Sequence, residues 1–141
     1  MNMTRKYKSV ALAIAGVITL PSCASTSQSS AKTDSPDSWK IASIQHGQAS
    51  WYSVNTNGGT RTASGQRLAN TAATAAHKTL PLGSKVRVVN LTNGKSEVVT
   101  ITDRGPFVRN RVIDVTVGVA ERLGFLASGV TSVKLEVLGN P

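Results

Sequence analysis

Five carboxylates stand in the stretch 45–141: Glu97, Asp103, Asp114, Glu121 and Glu136. Glu97 and Glu136 alternate with valine and leucine, and Glu121 falls on the polar side of a helical pattern, so all three read as solvated. Asp103 differs. It ends the run Val98-Val99-Thr100-Ile101-Thr102 and precedes Arg104-Gly105-Pro106, where the chain must turn. A carboxylate there is held by a strand and exposed at its rim, which suits general acid–base work. The structural use of the same residue would be an Asx-type turn or an ion pair with Arg104. Asp114 lies inside Val112-Ile113-Asp114-Val115 and needs partners if it is buried. His77 follows Ala75-Ala76; a lone histidine serves as a proton carrier or as a structural residue. Two His and one Cys are too few for a four-ligand zinc site, and a single Cys forms no internal disulfide. No Gly-x-Ser-x-Gly elbow marks a serine hydrolase. The chemistry on offer is proton transfer, with no metal and no cofactor expected.

The elements that must position these groups are mostly strands. Lys85–Leu91 and Ser96–Thr102 flank Thr92-Asn93-Gly94-Lys95, and Asn-Gly between β-branched runs predicts a hairpin with both residues at positive φ. Gly47–Ser53, Arg111–Thr116 and Thr131–Leu138 read as further strands. Val119, Ala120, Leu123 and Leu126 share one helical face, predicting a short amphipathic helix stopped near Gly124. Short strands with one inserted helix point to a small, mainly β barrel.

The first 22 residues do not belong to that fold. Arg5, Lys6 and Lys8 precede the uncharged run Val10–Leu20, the pattern of a secretory signal and too short to span a bilayer. Leu20-Pro21-Ser22-Cys23 resembles the bacterial lipobox, which predicts lipidation of Cys23. Ala24 and Ser25 follow without an Asp, a pattern similar to outer-membrane sorting in Gram-negative envelopes. Residues 23–44 are rich in Ser, Thr, Ala, Lys and Asp and read as a flexible tether, leaving one domain over 45–141. The 141 residues carry 16 Lys+Arg against 7 Asp+Glu; without residues 1–22, which hold three bases and no acid, the balance is still +6. For an exported chain the anionic partners expected are cell-wall polymer or lipid headgroups, and not nucleic acid.

Taken together, Gly47-Gln-Ala-Ser-Trp-Tyr52, Thr62-Ala-Ser-Gly65, Thr74-Ala-Ala-His-Lys-Thr-Leu-Pro-Leu-Gly83, Val86–Leu91 with Asn93-Gly94, Thr102-Asp-Arg-Gly-Pro-Phe107 and Asn110-Arg-Val-Ile-Asp-Val115 resemble the rare lipoprotein A (RlpA) family. The resemblance implies a six-stranded double-psi β-barrel with one short helix. It implies a lytic transglycosylase that cuts peptidoglycan glycan strands, preferably free of stem peptides, to 1,6-anhydro-muramic ends during wall remodelling and daughter-cell separation. Division proteins are implied as partners. By position, Asp103 falls on the family's catalytic acid and His77 on an active-site histidine. The family's third position, Glu in Thr-Ala-Asn-Gly-Glu, is Gln66 here, which keeps the shape of Glu but cannot titrate. Asp114 aligns with an acid emphasised in expansins. Ser50, Trp51 and Tyr52 resemble a groove-lining segment whose aromatic faces stack on sugars, and Arg104 and Asn110 join them as substrate-binding candidates. Many members carry a C-terminal SPOR domain; none is expected here, because the sequence ends at Pro141 soon after the last predicted strand. The alternative reading, suggested by Gln66, is a catalytically weak or silent glycan-binding lipoprotein, as in expansins.

Overall fold

The computed structural model describes residues 39–139, together with Ala13, Ala15 and Gly16. The signal segment otherwise, the lipobox with Cys23, and the tether as far as residue 38 lie outside the described residues.

Six strands, β1 (Ile41–Tyr52), β2 (Thr74–His77), β3 (Lys85–Asn90), β4 (Ser96–Asp103), β5 (Arg111–Thr116) and β6 (Val130–Leu138), close into a barrel in the order β1-β5-β2-β4-β3-β6. β1 runs parallel to β5 and β2 parallel to β4; the other four neighbours are antiparallel. Period-two alternation drives closure: β3 buries Val86, Val88 and Asn90 and turns Lys85, Arg87 and Val89 outward. These meet Val99, Ile101, Ile113, Val115, Val133 and Leu135 in one core. α1 (Val117–Arg122) follows β5 directly and caps that core with Val119 and Ala120, joined by Leu123 and Phe125.

Several expectations are corrected. β1 begins at Ile41, not at Gly47, because Ile41–Ile44 pair with Leu138–Glu136 of β6. The hairpin turn spans residues 91–95, and only Gly94 takes positive φ (76°). Asn93 instead donates from Nδ2 to the Leu123 carbonyl (2.9 Å) and accepts the Lys95 amide (2.9 Å), tying the turn to the end of α1. The helix ends at Arg122, so Leu126 lies beyond it; Gly124, at φ 77°, breaks the run. Glu136 is not a solvated residue. It is 7% exposed and pairs with Arg87 (3.1 Å) and Lys134 (2.7 Å). The short Glu97 contact to Arg122 (2.7 Å) likewise links β4 to α1.

β2 has no strand-like composition, since Ala is depleted in sheets. It becomes a strand because β4 and β5 flank it, and both Ala75 and Ala76 are buried there.

Candidate functional site

One row of side chains crosses four strands. Ser50 of β1 faces Asp114 of β5, Asp114 faces Ala76 of β2, and Ala76 faces Asp103 of β4. With strands about 4.8 Å apart, the two aspartates attach to backbones about 10 Å apart, with only a methyl group between them.

Two register irregularities make this row. Ala75 opposes Ile101 but Ala76 opposes Asp103, so Thr102 is an extra residue on β4 and Asp103 is re-aimed into the row. On β5, Gln48 opposes Arg111 and Ala49 opposes Ile113, so Val112 is extra. Arg111 thereby reaches the same side as Asp114, three positions away, although regular alternation would separate them.

Asp103 is partly exposed at the strand end. Its Oδ1 accepts the amides of Ala63 (3.0 Å) and Arg104 (2.8 Å). The loop 62–66 supplies the first of these. It is closed by Thr62 N to Gln66 O (2.9 Å) and anchored to β4 by Ser64 N to Thr102 O (2.9 Å). Gly65 permits the turn, with φ 82°. Gln66 therefore closes the loop with its backbone, while its side chain is exposed. Of the two structural uses open to Asp103, the ion pair with Arg104 does not form: Arg104 Nη1 donates to the carbonyls of His77 (3.1 Å) and Leu80 (2.7 Å).

Asp114 is in the opposite condition. Its Oδ1 accepts from Arg111 Nη2 (2.6 Å) and Nε (3.2 Å), and Ser50 Oγ bonds closely with both residues. Its charge is compensated; among the described residues, that of Asp103 meets backbone amides alone.

His77 is 4% exposed and both ring nitrogens are engaged. Nδ1 accepts the amides of Thr79 (3.2 Å) and Leu80 (3.1 Å), so the proton sits on Nε2, which donates to Gln45 Oε1 (3.1 Å). Burial lowers the His77 pKa below its ordinary 6.5, and the nearby Arg104 and Lys78 charges lower it further. A neutral imidazole thus shapes the 77–80 turn that receives Arg104. Among the described residues no hydrogen bond joins it to Asp103.

The two aromatic candidates on β1 differ in setting. Trp51 shares the side of Ala49, packs on the core and donates from Nε1 to Leu126 O (3.2 Å). Tyr52 is 8% exposed, among Leu68, Ala76 and Val54. Trp51 is partly buried, and Phe107, four residues past Asp103, is 82% exposed. Burial raises the Tyr52 pKa, as do the Asp103 and Asp114 charges, so its phenol stays protonated. The Thr74 and Thr102 hydroxyls lie near enough to oppose that rise, yet Tyr52 Oη and Thr102 Oγ1 are buried without a hydrogen bond of normal geometry. Tyr52 packs against Ala76 and Thr102 precedes Asp103, so both sit next to the aspartate row. Asn110, at φ 66°, stands apart from Asp103 and lines a cavity of about 550 Å³ with Gln48, Val112 and Ser132.

Residues 44–135 match the family described as lytic transglycolase. A relative in Synechocystis sp., a probable endolytic peptidoglycan transglycosylase RlpA, is 50% identical over 98 residues, covering 70% of this chain and 30% of its own. The chain belongs to the RlpA family. The RlpA of Neisseria meningitidis serogroup A is 51% identical over 92 residues (65% of this chain, 38% of that one), and that of Rickettsia felis 47% over 111 (77% and 48%). The chain thus spans less than half the length of these curated RlpA relatives. Among solved structures, a Streptomyces papain inhibitor superposes with TM-score 0.56 at 20% identity (70% of this chain, 97% of that one). An apo expansin of Clavibacter michiganensis gives 0.55 at 16% (70% and 52%). These neighbours show the fold to be a double-psi β-barrel, with β1–β5 and β2–β4 as its two parallel pairs.

Sequence reasoning misses Arg111 and the Ala63 amide as parts of this site. The alternation of β5 argues against Arg111, and a backbone amide 40 positions from Asp103 leaves no side-chain signal.

Proposed function

We propose that this chain is a lytic transglycosylase acting on peptidoglycan glycan strands that have lost their stem peptides, with Asp103 as its single acid and base. It works in wall remodelling and daughter-cell separation, held to the outer membrane's periplasmic face through Cys23, and partners with division proteins. The observation that carries the reading is the contrast between the two aspartates. Asp114 is bound to Arg111 and Ser50, whereas Asp103 stands at the rim with Oδ1 fixed by two amides.

A hydrolytic glycosidase uses two carboxylates, one as acid and one to activate water or attack. A transglycosylase needs one. Protonated Asp103 gives its proton to the glycosidic oxygen as the C1–O bond breaks. The resulting carboxylate takes the proton from the muramic C6 hydroxyl, whose oxygen closes on C1 to form the 1,6-anhydro ring. The proton returns to Asp103 and no water is consumed. Arg111 and Ser50 occupy Asp114 Oδ1 and so leave the proton exchange to Asp103, and His77, through its carbonyl, positions Arg104 and the turn beneath the acid.

The test is release of soluble glycan from amidase-treated sacculi, read by mass spectrometry. Anhydro-ended products from the wild type, and none from Asp103→Asn, are expected. Products heavier by one water would mean hydrolysis. Binding of sacculi without release by the wild type would mean a binding module.

A further inference from the structure

The loop that grips Asp103 carries two like charges facing each other. Arg61 and Arg67 form an isolated antiparallel bridge at its base. Residues directly opposite in such a bridge share a face, with Cβ atoms about 4.5–5.5 Å apart, and like charges there repel. Both side chains are exposed. Arg61 Nη1 donates to Gly65 O (3.0 Å), and among the described residues neither guanidinium meets a carboxylate. Arg111 and Arg122, by contrast, are each matched with an acid. The loop is also held rigidly against the acid, through Ala63 N on Asp103 Oδ1 and Ser64 N on Thr102 O. Two exposed arginines paired across the base of the loop that holds an acid–base residue are suited to receive an anionic group on whatever that residue cleaves.

We propose that Arg61 and Arg67 form a carboxylate subsite that reads the free lactyl group of muramic acid. This rests on the reading of the substrate as peptide-free glycan. In a strand bearing stem peptides, the lactyl carbonyl is an uncharged amide. Removing the peptide leaves a carboxylate at that position on every disaccharide. Guanidinium forks match carboxylates in shape and charge, and the amide offers no charge to match. The subsite therefore turns the loss of the peptide into tighter binding near Asp103.

The experiment compares two preparations of amidase-treated sacculi, one native and one whose lactyl carboxylates are capped as methylamides with carbodiimide and methylamine. Co-sedimentation of the full chain at low temperature reads binding; glycan release on warming reads cleavage. The wild type is expected to bind native glycan about tenfold more tightly than the capped form, an effect that shrinks with added salt. The double variant Arg61→Gln/Arg67→Gln is expected to bind both forms equally, at the capped level, with KM for native glycan raised and kcat little changed. The pair Arg61→Lys/Arg67→Lys keeps the charge and is expected to regain most of the preference. A Gln pair that retains the wild-type preference overturns the proposal, as does a Lys pair no better than the Gln pair, which would assign the effect to loop structure. Carboxylate-dependent binding without any release would sink the catalytic reading and leave the subsite standing.

Discussion

His77 is neutral because its ring is buried and Nδ1 is occupied by two amide donors, so charging it requires breaking both contacts. Its folded pKa lies below the unfolded 6.5, so between the two values the unfolded chain holds more protons. Stability contributed by neutral His77 is complete above 6.5 and is lost as pH falls through the lowered value. Urea midpoints measured from pH 7.5 down to about 5 should decline in the wild type and decline less in His77→Gln. The same scale decides Gln66. Its exposed side chain stands on the loop that holds Asp103, where a charge would be felt by that acid. Restoring an electrostatic contribution of this kind is typically worth about 10²–10³ in rate. Gln66→Glu is therefore expected to speed glycan release relative to the wild type. Equal rates would show that hydrogen bonding alone suffices at this position.

At the scale of elements, the barrel is fastened by ion pairs that the alternation pattern assigns to solvent. Glu136 joins β6 to β3 through Arg87 and also takes Lys134. Its pKa is lowered chiefly by the Lys134 hydrogen bond, then by that of Arg87, against the opposing effect of burial. The stability this provides is complete above the ordinary 4.5 and disappears as pH falls through the lowered value. Glu136→Gln should cost about 1–3 kcal/mol at neutral pH and flatten the acid limb of the stability profile, as read by urea titration. α1 offers a second test. A methyl group at Gly118 would lie 2.8 Å from the Asn70 carbonyl oxygen and 3.1 Å from Thr71 Cα, both backbone atoms that cannot swing aside. Helix propensity alone favours Gly118→Ala by about 1 kcal/mol. Overpacking, about 1–3 kcal/mol, should outweigh it, and a raised melting temperature would show that the 70–71 loop yields.

Across the whole molecule, the β1–β6 seam that closes the barrel is extended by the first four residues of β1. Ile41–Ile44 complete the ladder against Leu138–Glu136, and Gly139 N donates to Lys40 O (2.8 Å). A chain begun at Gln45 keeps every residue of the aspartate row and the β3 pairing of β6, but leaves the end of β6 unpaired on the side of β1. It is expected to show a lower urea midpoint, while residual native molecules cleave glycan at the normal specific rate. Core substitutions should act globally in the same manner. Ile113→Ala, at a fully buried position beside the row, is expected to cost about 2–5 kcal/mol, read as a cooperative shift of the entire unfolding transition.

What local patterning can encode is legible in the amino-acid sequence by itself. The hairpin, the terminal strands and a barrel with one helix follow from period-two and period-3.6 spacing, which depends on neighbours a few residues away. Asp103 is legible for the same reason, as a carboxylate at the point where a β-branched run meets Gly-Pro. The tertiary structure alone decided the rest. β2 is a strand only because β4 and β5 hold it. Arg111 meets Asp114 only because Val112 is extra in the register, and Asp103 joins the row only because Thr102 is. Glu136 is buried only because Arg87 and Lys134 converge on it. Each of these depends on hydrogen-bond register between strands distant in sequence, and a one-residue shift in register reverses the side a residue faces without changing any local pattern.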